Sequence, residues 1–268
     1  MTVAEFLADS SRLLEAKNIA SARLDCLILL EDTTGKDRSW LLAHQDDVLD
    51  ANQLAKLRRQ VVRRASHEPL AYIRGFTEFY GRRFKINKRV LEPRPESETM
   101  IDLLKKLALP TRPKIADVGT GSGNLGITAA LEMHSSKVDL YDIDSGALAV
   151  ARHNVHLHEL HLQVHKRDLM SRPVADYDVI LANLPYVPTS WHINEAAKAE
   201  PRLAIFGGKD GLDLYRRLFA QLAILAKPPR FVLTESLPPQ HKTLAQLALG
   251  ANYKQLKSRD LIQVFTAD

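Results

Sequence analysis

Apolar positions follow two rhythms along this chain. Over the N-terminal quarter they recur every three to four residues, the spacing of amphipathic helices. Val3, Phe6, Leu7, Ser10, Leu13 and Leu14 predict a first helix with Thr2 as its N-cap. Leu24, Leu27 and Ile28 begin a second helix after Ser21, and a short third element covers Ser39 to His44. Asp50 caps a longer helix with Leu54, Leu57 and Val61 on one face. No single stripe of this kind buries itself, so a small helical bundle is predicted. The last helix also carries Arg58, Arg59, Arg63 and Arg64, which read first as a solvated face and second as a surface for a negative partner.

From Lys114 the rhythm changes to short β-branched runs alternating with helical spacing. Strands are expected near Ile115–Val118, Val138–Tyr141, Gln163–His165, Val179–Asn183 and Phe231–Thr234. Helices are expected near Ser122–Glu132, Gly146–His156, Leu212–Ala226 and Pro239–Leu249, and two late β-like stretches lie near Tyr253–Leu256 and Leu261–Phe265. Such alternation predicts an α/β sheet with parallel pairing. Between the two regions, aromatic and β-branched residues on either side of Gly81 predict a hairpin that links the domains. Pro95 suits the first position of a helix reaching about Leu107. The polar stretch Pro188–Arg202, with Trp191 and His192, is expected to be a mobile loop beside the site. The resulting division is a helical domain over 1–74, a hairpin over 75–92 and an α/β domain over 93–268.

The totals agree with this division. A length of 268 residues suits about two domains. Hydrophobic and charged contents of 45% and 26% are ordinary for a globular chain. The net charge of +5 is compatible with an acidic or nucleic-acid-associated partner without selecting one. No apolar run approaches the roughly 20 residues of a membrane span, and the stretch Met1–Phe6 lacks the marks of a signal peptide. The single Cys26 lies among Leu24, Leu27 and Ile28 and reads as a core residue. A cytoplasmic protein is expected. His153, His156, His158, His161 and His165 fit a solvated helix face and its following loop, so no metal is expected.

The candidate chemistry gathers at strand ends, where open α/β sheets place their ligands. The run Val179-Ile180-Leu181 leads to Asn183-Leu184-Pro185-Tyr186. Asn183 brings a carboxamide that both donates and accepts. Pro185 steers Leu184 away from helical geometry, so the Leu184 carbonyl can point outward. Tyr186 adds a flat ring. Two acceptors and an aromatic face suit a planar –NH2 group. Upstream, Asp117-Val-Gly119-Thr120-Gly121-Ser-Gly123 ends the first α/β strand and opens a helix, and its glycines let the backbone turn sharply against a ligand. Asp117 can accept from an ammonium or pair with a positive ligand. Asp142, at the end of the next strand, can take the ribose hydroxyls of a nucleoside. Asp168, after the third, can accept from an adenine amine. A dinucleotide site is the rival, because Gly121 to Gly126 also satisfies G-x-G-x-x-G. Asp117 would place negative charge near a pyrophosphate, however, and suits cationic S-adenosylmethionine better. The Asn183–Tyr186 cradle has no part in hydride transfer.

With these residues together, the chain resembles the HemK/PrmC family of protein-glutamine methyltransferases. The resemblance runs over nearly the whole length. It includes Ala22-Arg-Leu-Asp25, Glu68-Pro-Leu-Ala-Tyr-Ile-Arg-Gly75, Glu78-Phe-Tyr-Gly81 and Pro93-Arg-Pro-Glu-Ser-Glu98. It continues through the glycine loop, Asp142, Asn183–Tyr186, Glu200-Pro-Arg-Leu-Ala and Gly207-Gly-Lys-Asp-Gly211. It implies a class I S-adenosylmethionine-dependent methyltransferase fold, Rossmann-like with seven strands, an N-terminal helical substrate-recognition bundle and a linking hairpin. It also implies methylation of the glutamine amide in the Gly-Gly-Gln motif of class I peptide chain release factors. Asn183, Leu184, Pro185 and Tyr186 would then be catalytic, while Asp117, Gly119, Thr120, Gly121, Gly123, Asp142, Asp168 and Asn183 would hold the cofactor. Phe76 and Arg94 would help close the substrate pocket. A monomer with no stable nucleic-acid complex is expected. The rival substrates are a ribosomal-protein glutamine and an exocyclic amine of nucleic acid, and a non-enzymatic binding module is the rival class. The family's usual Asn-Pro-Pro-Tyr has Leu184 in place of its first proline here. Glu235-Ser-Leu-Pro-Pro-Gln240 lacks an expected glycine, and Ala226-Lys-Pro-Pro-Arg230 lacks the usual Gly-Gly turn. These last changes are expected to sit away from the transfer centre.

Overall fold

The computed structural model of the protein describes residues 1–171 and 176–267. These divide into two compact units, Met1–Gly75 with Asn194–Ala199, and Phe76–Ile193 with Glu200–Asp268.

The first unit is helical: α1 Val3–Glu15, α2 Ala22–Thr34, α3 Arg38–Ala43, α4 Ala51–Ala65 and α5 Leu70–Arg74. Thr2 and Asp50 cap α1 and α4 as expected, each in a capping box closed by Glu5 or Gln53. The apolar stripes meet in one core containing Phe6, Leu14, Leu29, Leu30, Leu41 and Leu57. Cys26 belongs to it, and burial pushes its thiol up to about 11, so it packs rather than reacts. The arginine cluster divides. Arg58 and Arg59 are exposed, Arg63 is tied to Glu68, and Arg64 reaches the buried Asp25 at 2.7 Å. Half of that ridge is therefore internal bracing.

The second unit opens with the hairpin β1 Phe76–Phe79 and β2 Arg82–Lys85. Its Phe79 and Phe84 are buried in the same core as Ile115 and Leu140. The hairpin is therefore part of this unit rather than a separate linker. Pro95–Ser97 form a 3-10 turn ahead of α6 Glu98–Leu104, so the expected long helix is split and shorter. Then follow β3 Lys114–Val118, α7 Asn124–Glu132, β4 Lys137–Asp142, α8 Ser145–Leu157, β5 Gln163–Lys166 and β6 Val179–Ala182. After them come α9 Glu195–Lys198, α10 Asp213–Ala223, β7 Phe231–Glu235, α11 His241–Gly250, β8 Tyr253–Arg259 and β9 Ile262–Ala267. The stretch expected to be a loop thus contains one turn of helix, α9, capped by Asn194, and it counts with the first unit.

Among the described residues, seven strands form one sheet in the order β5-β4-β3-β6-β7-β9-β8. Its first five members are parallel, and β9 is antiparallel to both its neighbours. Strand alternation sends Ile115, Leu140, Leu181 and Leu233 to one core and Ala116, Val118, Ile180 and Val232 to the other. Both faces are covered, which is why these strands read as continuous apolar runs. The chain order reverses between β3 and β6, where successive connections leave to opposite sides and open a crevice at the strand ends. No helix among the described residues is long and apolar enough to cross a membrane. Nor do they contain a group of three His, Cys, Asp or Glu that could hold a metal ion.

Candidate active site

The crevice is a cavity of about 330 Å³. Its wall is built from the glycine loop after β3, the end of β4, the segment after β5, the end of β6, and two covering stretches around Arg89–Arg94 and Pro201–Ala204.

The glycine loop adopts the left-handed backbone that its sequence predicts, with φ of 72° at Gly119, 54° at Gly121 and 84° at Gly123. Nothing stands within 4 Å of where a Gly121 side chain would begin, so a ligand can lie against that backbone. Asp142 ties the loop to β4: its Oδ2 accepts from the Gly121 N–H and its Oδ1 from the Asp144 N–H, both at 2.9 Å. Burial raises its carboxyl above the ordinary range. Beside it Ile143 is 48% exposed and lines the cavity, an apolar face that the sequence analysis missed. Its sequence signal was an isoleucine just past a strand, between Asp142 at the strand end and Asp144, which caps the next helix.

Asp117 stands elsewhere than expected. Strand alternation turns it beneath α7, where Oδ2 accepts from Thr120 Oγ1 at 2.5 Å and from the Gly126 N–H at 2.9 Å. The residue is 1% exposed and is not part of the cavity wall. Gly126 makes room for it, since a Cβ there would lie 2.9 Å from Oδ2. Burial pushes the Asp117 carboxyl up to about 6. Asp168 does line the cavity, but its Oδ2 is ion-paired with Arg217.

The Asn183–Tyr186 turn is held from three sides. The Leu184 N–H donates to Tyr215 Oη at 3.2 Å, and the Leu184 side chain is buried against Gly119. The Gly207–Gly211 loop supports the turn from behind: Cβ atoms on Gly207 and Gly211 would strike the carbonyl oxygens of Pro185 and Tyr186 at 2.2 and 2.0 Å. Gln240 Nε2 donates to the Tyr186 carbonyl at 2.7 Å. Asn183 Nδ2 donates to Ser97 Oγ and Glu235 Oε2, each at 3.0 Å, and Tyr186 Oη donates to Glu235 Oε1 at 2.9 Å. Among the described residues no hydrogen bond reaches Asn183 Oδ1 or the Leu184 carbonyl. Two acceptors are thus left unengaged at the strand end. Asn183, Leu184 and Pro185 line the cavity, while Tyr186 stands behind it, anchored by its hydroxyl.

Glu235 and Gln240, at the two ends of the changed stretch, brace the site by holding Asn183, the Tyr186 hydroxyl and the Tyr186 carbonyl. Arg94 lines the cavity, held at 2.5 Å by Glu200, a carboxylate 2% exposed. Phe76 does not: the hairpin register places it opposite Lys85, with the Arg83 guanidinium 3.9 Å from its ring. Ser97, Glu200 and Glu235 were missed as site residues. Each stood in a segment already singled out, but nothing local said that Ser97 and Glu235 would meet on Asn183 or that Glu200 would hold Arg94.

A seven-stranded sheet with this reversal, a glycine loop after its first strand and an acidic residue after its second defines a class I methyltransferase. Residues 5–75 match the family described as the PrmC N-terminal domain, and residues 97–199 match the methyltransferase small domain. The release factor glutamine methyltransferase of Koribacter versatilis is 36% identical, covering 88% of this chain and 86% of its own length. That of Coxiella burnetii is 32% identical over 88% and 87%. A methyltransferase structure from Pyrococcus furiosus shares the fold with a TM-score of 0.52 at 18% identity, over 81% of this chain and 98% of that one. The chain belongs to the release factor glutamine methyltransferase family.

Proposed function

We propose that this protein transfers a methyl group from S-adenosylmethionine to the side-chain amide nitrogen of the glutamine in the Gly-Gly-Gln motif of class I release factors. The observation that supports it most is the pair of unengaged acceptors, Asn183 Oδ1 and the Leu184 carbonyl, at the end of β6 beside the glycine loop. The names of the relatives supply the substrate class.

The residues present fit the cofactor. Gly119, Thr120, Gly121 and Gly123 form the loop on which it lies, with the open backbone at Gly121 against it. Asp142 takes the ribose hydroxyls with the lone pairs its two backbone contacts leave free. Ile143 gives the purine an apolar face, and Asp168 offers the oxygen that Arg217 does not hold. Asp117 acts at one remove by shaping the loop through Thr120 and Gly126.

S-adenosylmethionine supplies an electrophilic methyl carbon whose leaving group is a neutral thioether. Asn183 and the Leu184 carbonyl accept the two N–H bonds of the glutamine amide and aim its nitrogen at that carbon. As the methyl group passes from sulfur to nitrogen, positive charge would grow on the nitrogen, where the same two acceptors, Asn183 Oδ1 and the Leu184 carbonyl, would stabilise it. The cation so formed, an N-methylated amide still carrying both hydrogens, would be strongly acidic, and one proton would leave to water without a strong base. Tyr186 is outside the cavity wall; its hydroxyl on Glu235 ties it to the carboxylate that also holds Asn183, so it braces the turn instead of offering its ring to the amide. Leu184 supplies the same carbonyl that proline would. We place this activity in the cytoplasm, carried out by a monomer without a stable nucleic-acid complex.

The test is incubation with isotopically labelled S-adenosylmethionine and a release factor, beside a copy with the Gly-Gly-Gln glutamine replaced. Peptide mass spectrometry locates the label. Label on that glutamine and none on the altered copy is expected. Label on a ribosomal protein or nucleic acid instead would overturn the proposed substrate.

A further inference from the structure

We infer that Glu235 is a positioning residue that decides which way the Asn183 carboxamide faces. The inference rests on the methyl-acceptor reading above and deepens it. A carboxamide is nearly symmetric in shape, and a half-turn exchanges its oxygen for its NH2. Only one orientation serves an amide substrate. With the oxygen toward the ligand, Asn183 accepts a substrate N–H; with the NH2 there, donor meets donor.

The environment of Asn183 selects between the two. Thr234 pairs with Ala182 in the β6–β7 register, so the next residues, Glu235 at the end of β7 and Asn183 just past β6, stand side by side. Glu235 is 1% exposed and receives three donors: Ser97 Oγ at 2.5 Å, Tyr186 Oη at 2.9 Å and Asn183 Nδ2 at 3.0 Å. An ionised carboxylate only accepts. Ser97 points its single proton at Glu235, so toward Asn183 it shows an oxygen, 3.0 Å from Nδ2. Both groups on the inner side of the amide are therefore acceptors, and the NH2 must face them. Turning it over would set the carbonyl oxygen against a carboxylate and a hydroxyl oxygen. The Asn183 oxygen is left for the ligand because Glu235 claims the other end. Ser97 adds to the effect and Tyr186 shares the same carboxylate, so the ring and the amide acceptor are held by one group.

The test reverses the polarity of the pair. Asn183→Asp alone sets two carboxylates face to face, and Glu235→Gln alone leaves one carbonyl oxygen and an NH2 where two carboxylate oxygens served three donors, so the Asn183 amide is no longer held one way. Each is expected to lower kcat on the release factor by about a hundredfold, the order seen for loss of one preorganised transition-state contact. Affinity for S-adenosylhomocysteine, by calorimetry, should stay within about tenfold of wild type, one hydrogen bond's worth. In the double variant the carboxamide at 235 donates one N–H to Ser97 and the other to the carboxylate at 183, whose second oxygen faces the substrate. Its kcat should exceed both single variants by at least about tenfold, a gain that coupling within one hydrogen-bond network allows. A double variant that folds, binds S-adenosylhomocysteine and is no faster than the slower single would overturn the inference. A wild-type enzyme that fails to methylate the release factor overturns the underlying reading instead, so the two failures are distinct. If the variants do not fold, side-chain NMR of the wild type answers the same question. One Asn183 carboxamide proton shifted downfield and protected from exchange is expected, and two equivalent, rapidly exchanging protons would count against the inference.

Discussion

Replacing Gly119 by alanine places a methyl group where the Leu184 side chain lies. At φ of 72° a Cβ on Gly119 would sit 2.8 Å from Leu184 Cδ2 and 4.0 Å from the Asn183 carbonyl oxygen. Two costs follow. A left-handed backbone for a non-glycine residue costs about 1–2 kcal/mol. Overpacking costs about 1–3 kcal/mol, toward the low end here because Cδ2 is the free end of a flexible side chain. Gly119→Ala should therefore lose about 2–4 kcal/mol. Leu184→Ala should lose about 2–5 kcal/mol on its own, since the side chain is 2% exposed. In the double variant the overlap is gone and the new methyl fills part of the vacated space. The losses should then fall short of additive by about 1–3 kcal/mol. Urea unfolding of the four proteins, with m-values compared, measures that coupling. Losses that add to within about 0.5 kcal/mol would refute the packing of Leu184 on the glycine loop.

Asn183→Ala should lower transfer to the release factor by about a hundredfold or more, whereas Leu184→Pro, which keeps the carbonyl, should stay within about tenfold of wild type by steady-state assay. Asp117 gives a pH signature. Its carboxyl moves from 3.8 to about 6 on folding, so it favours the folded state below the lower value and this advantage is lost as pH rises through the upper one. Asp117→Asn removes the titration, so wild type should lose about 2 kcal/mol of stability relative to the variant between pH 4 and about 7. Denaturation at several pH values measures this, and a constant difference would contradict the buried placement. Arg64→Ala leaves the buried Asp25 with Ser21 as its remaining side-chain donor. It should destabilise the first unit by about 3–5 kcal/mol, read by proteolysis or hydrogen exchange within Met1–Gly75.

Most elements were legible because their signals are short-range. Thr2 and Asp50 announced their helices through capping, β6 and β7 announced themselves as buried apolar runs close to prolines, and β3 led straight into the glycine loop. The glycine loop and Asn183–Tyr186 stood at strand ends, so the topology rule alone brought them to one crevice. The misreadings share a cause. Asp117 was placed at the ligand because it precedes the loop, yet its position in the alternation of β3 sends its side chain under α7. Glu235 was not singled out as a site residue, and it lies 52 residues from Asn183, yet adjacent parallel strands end level with each other.

By itself the sequence determined the periodicities, the turns that need glycine, and the residue types available at each strand end. The tertiary structure alone decided who faces whom. Ser97 and Asn183, 86 residues apart, meet on Glu235; Arg94 finds Glu200 and Arg217 finds Asp168. Backbone preference and hydrophobic period act over a few residues and leave their mark in the local text. The direction of a carboxamide depends on which acceptors distant segments deliver to it, and that is set by strand register and packing.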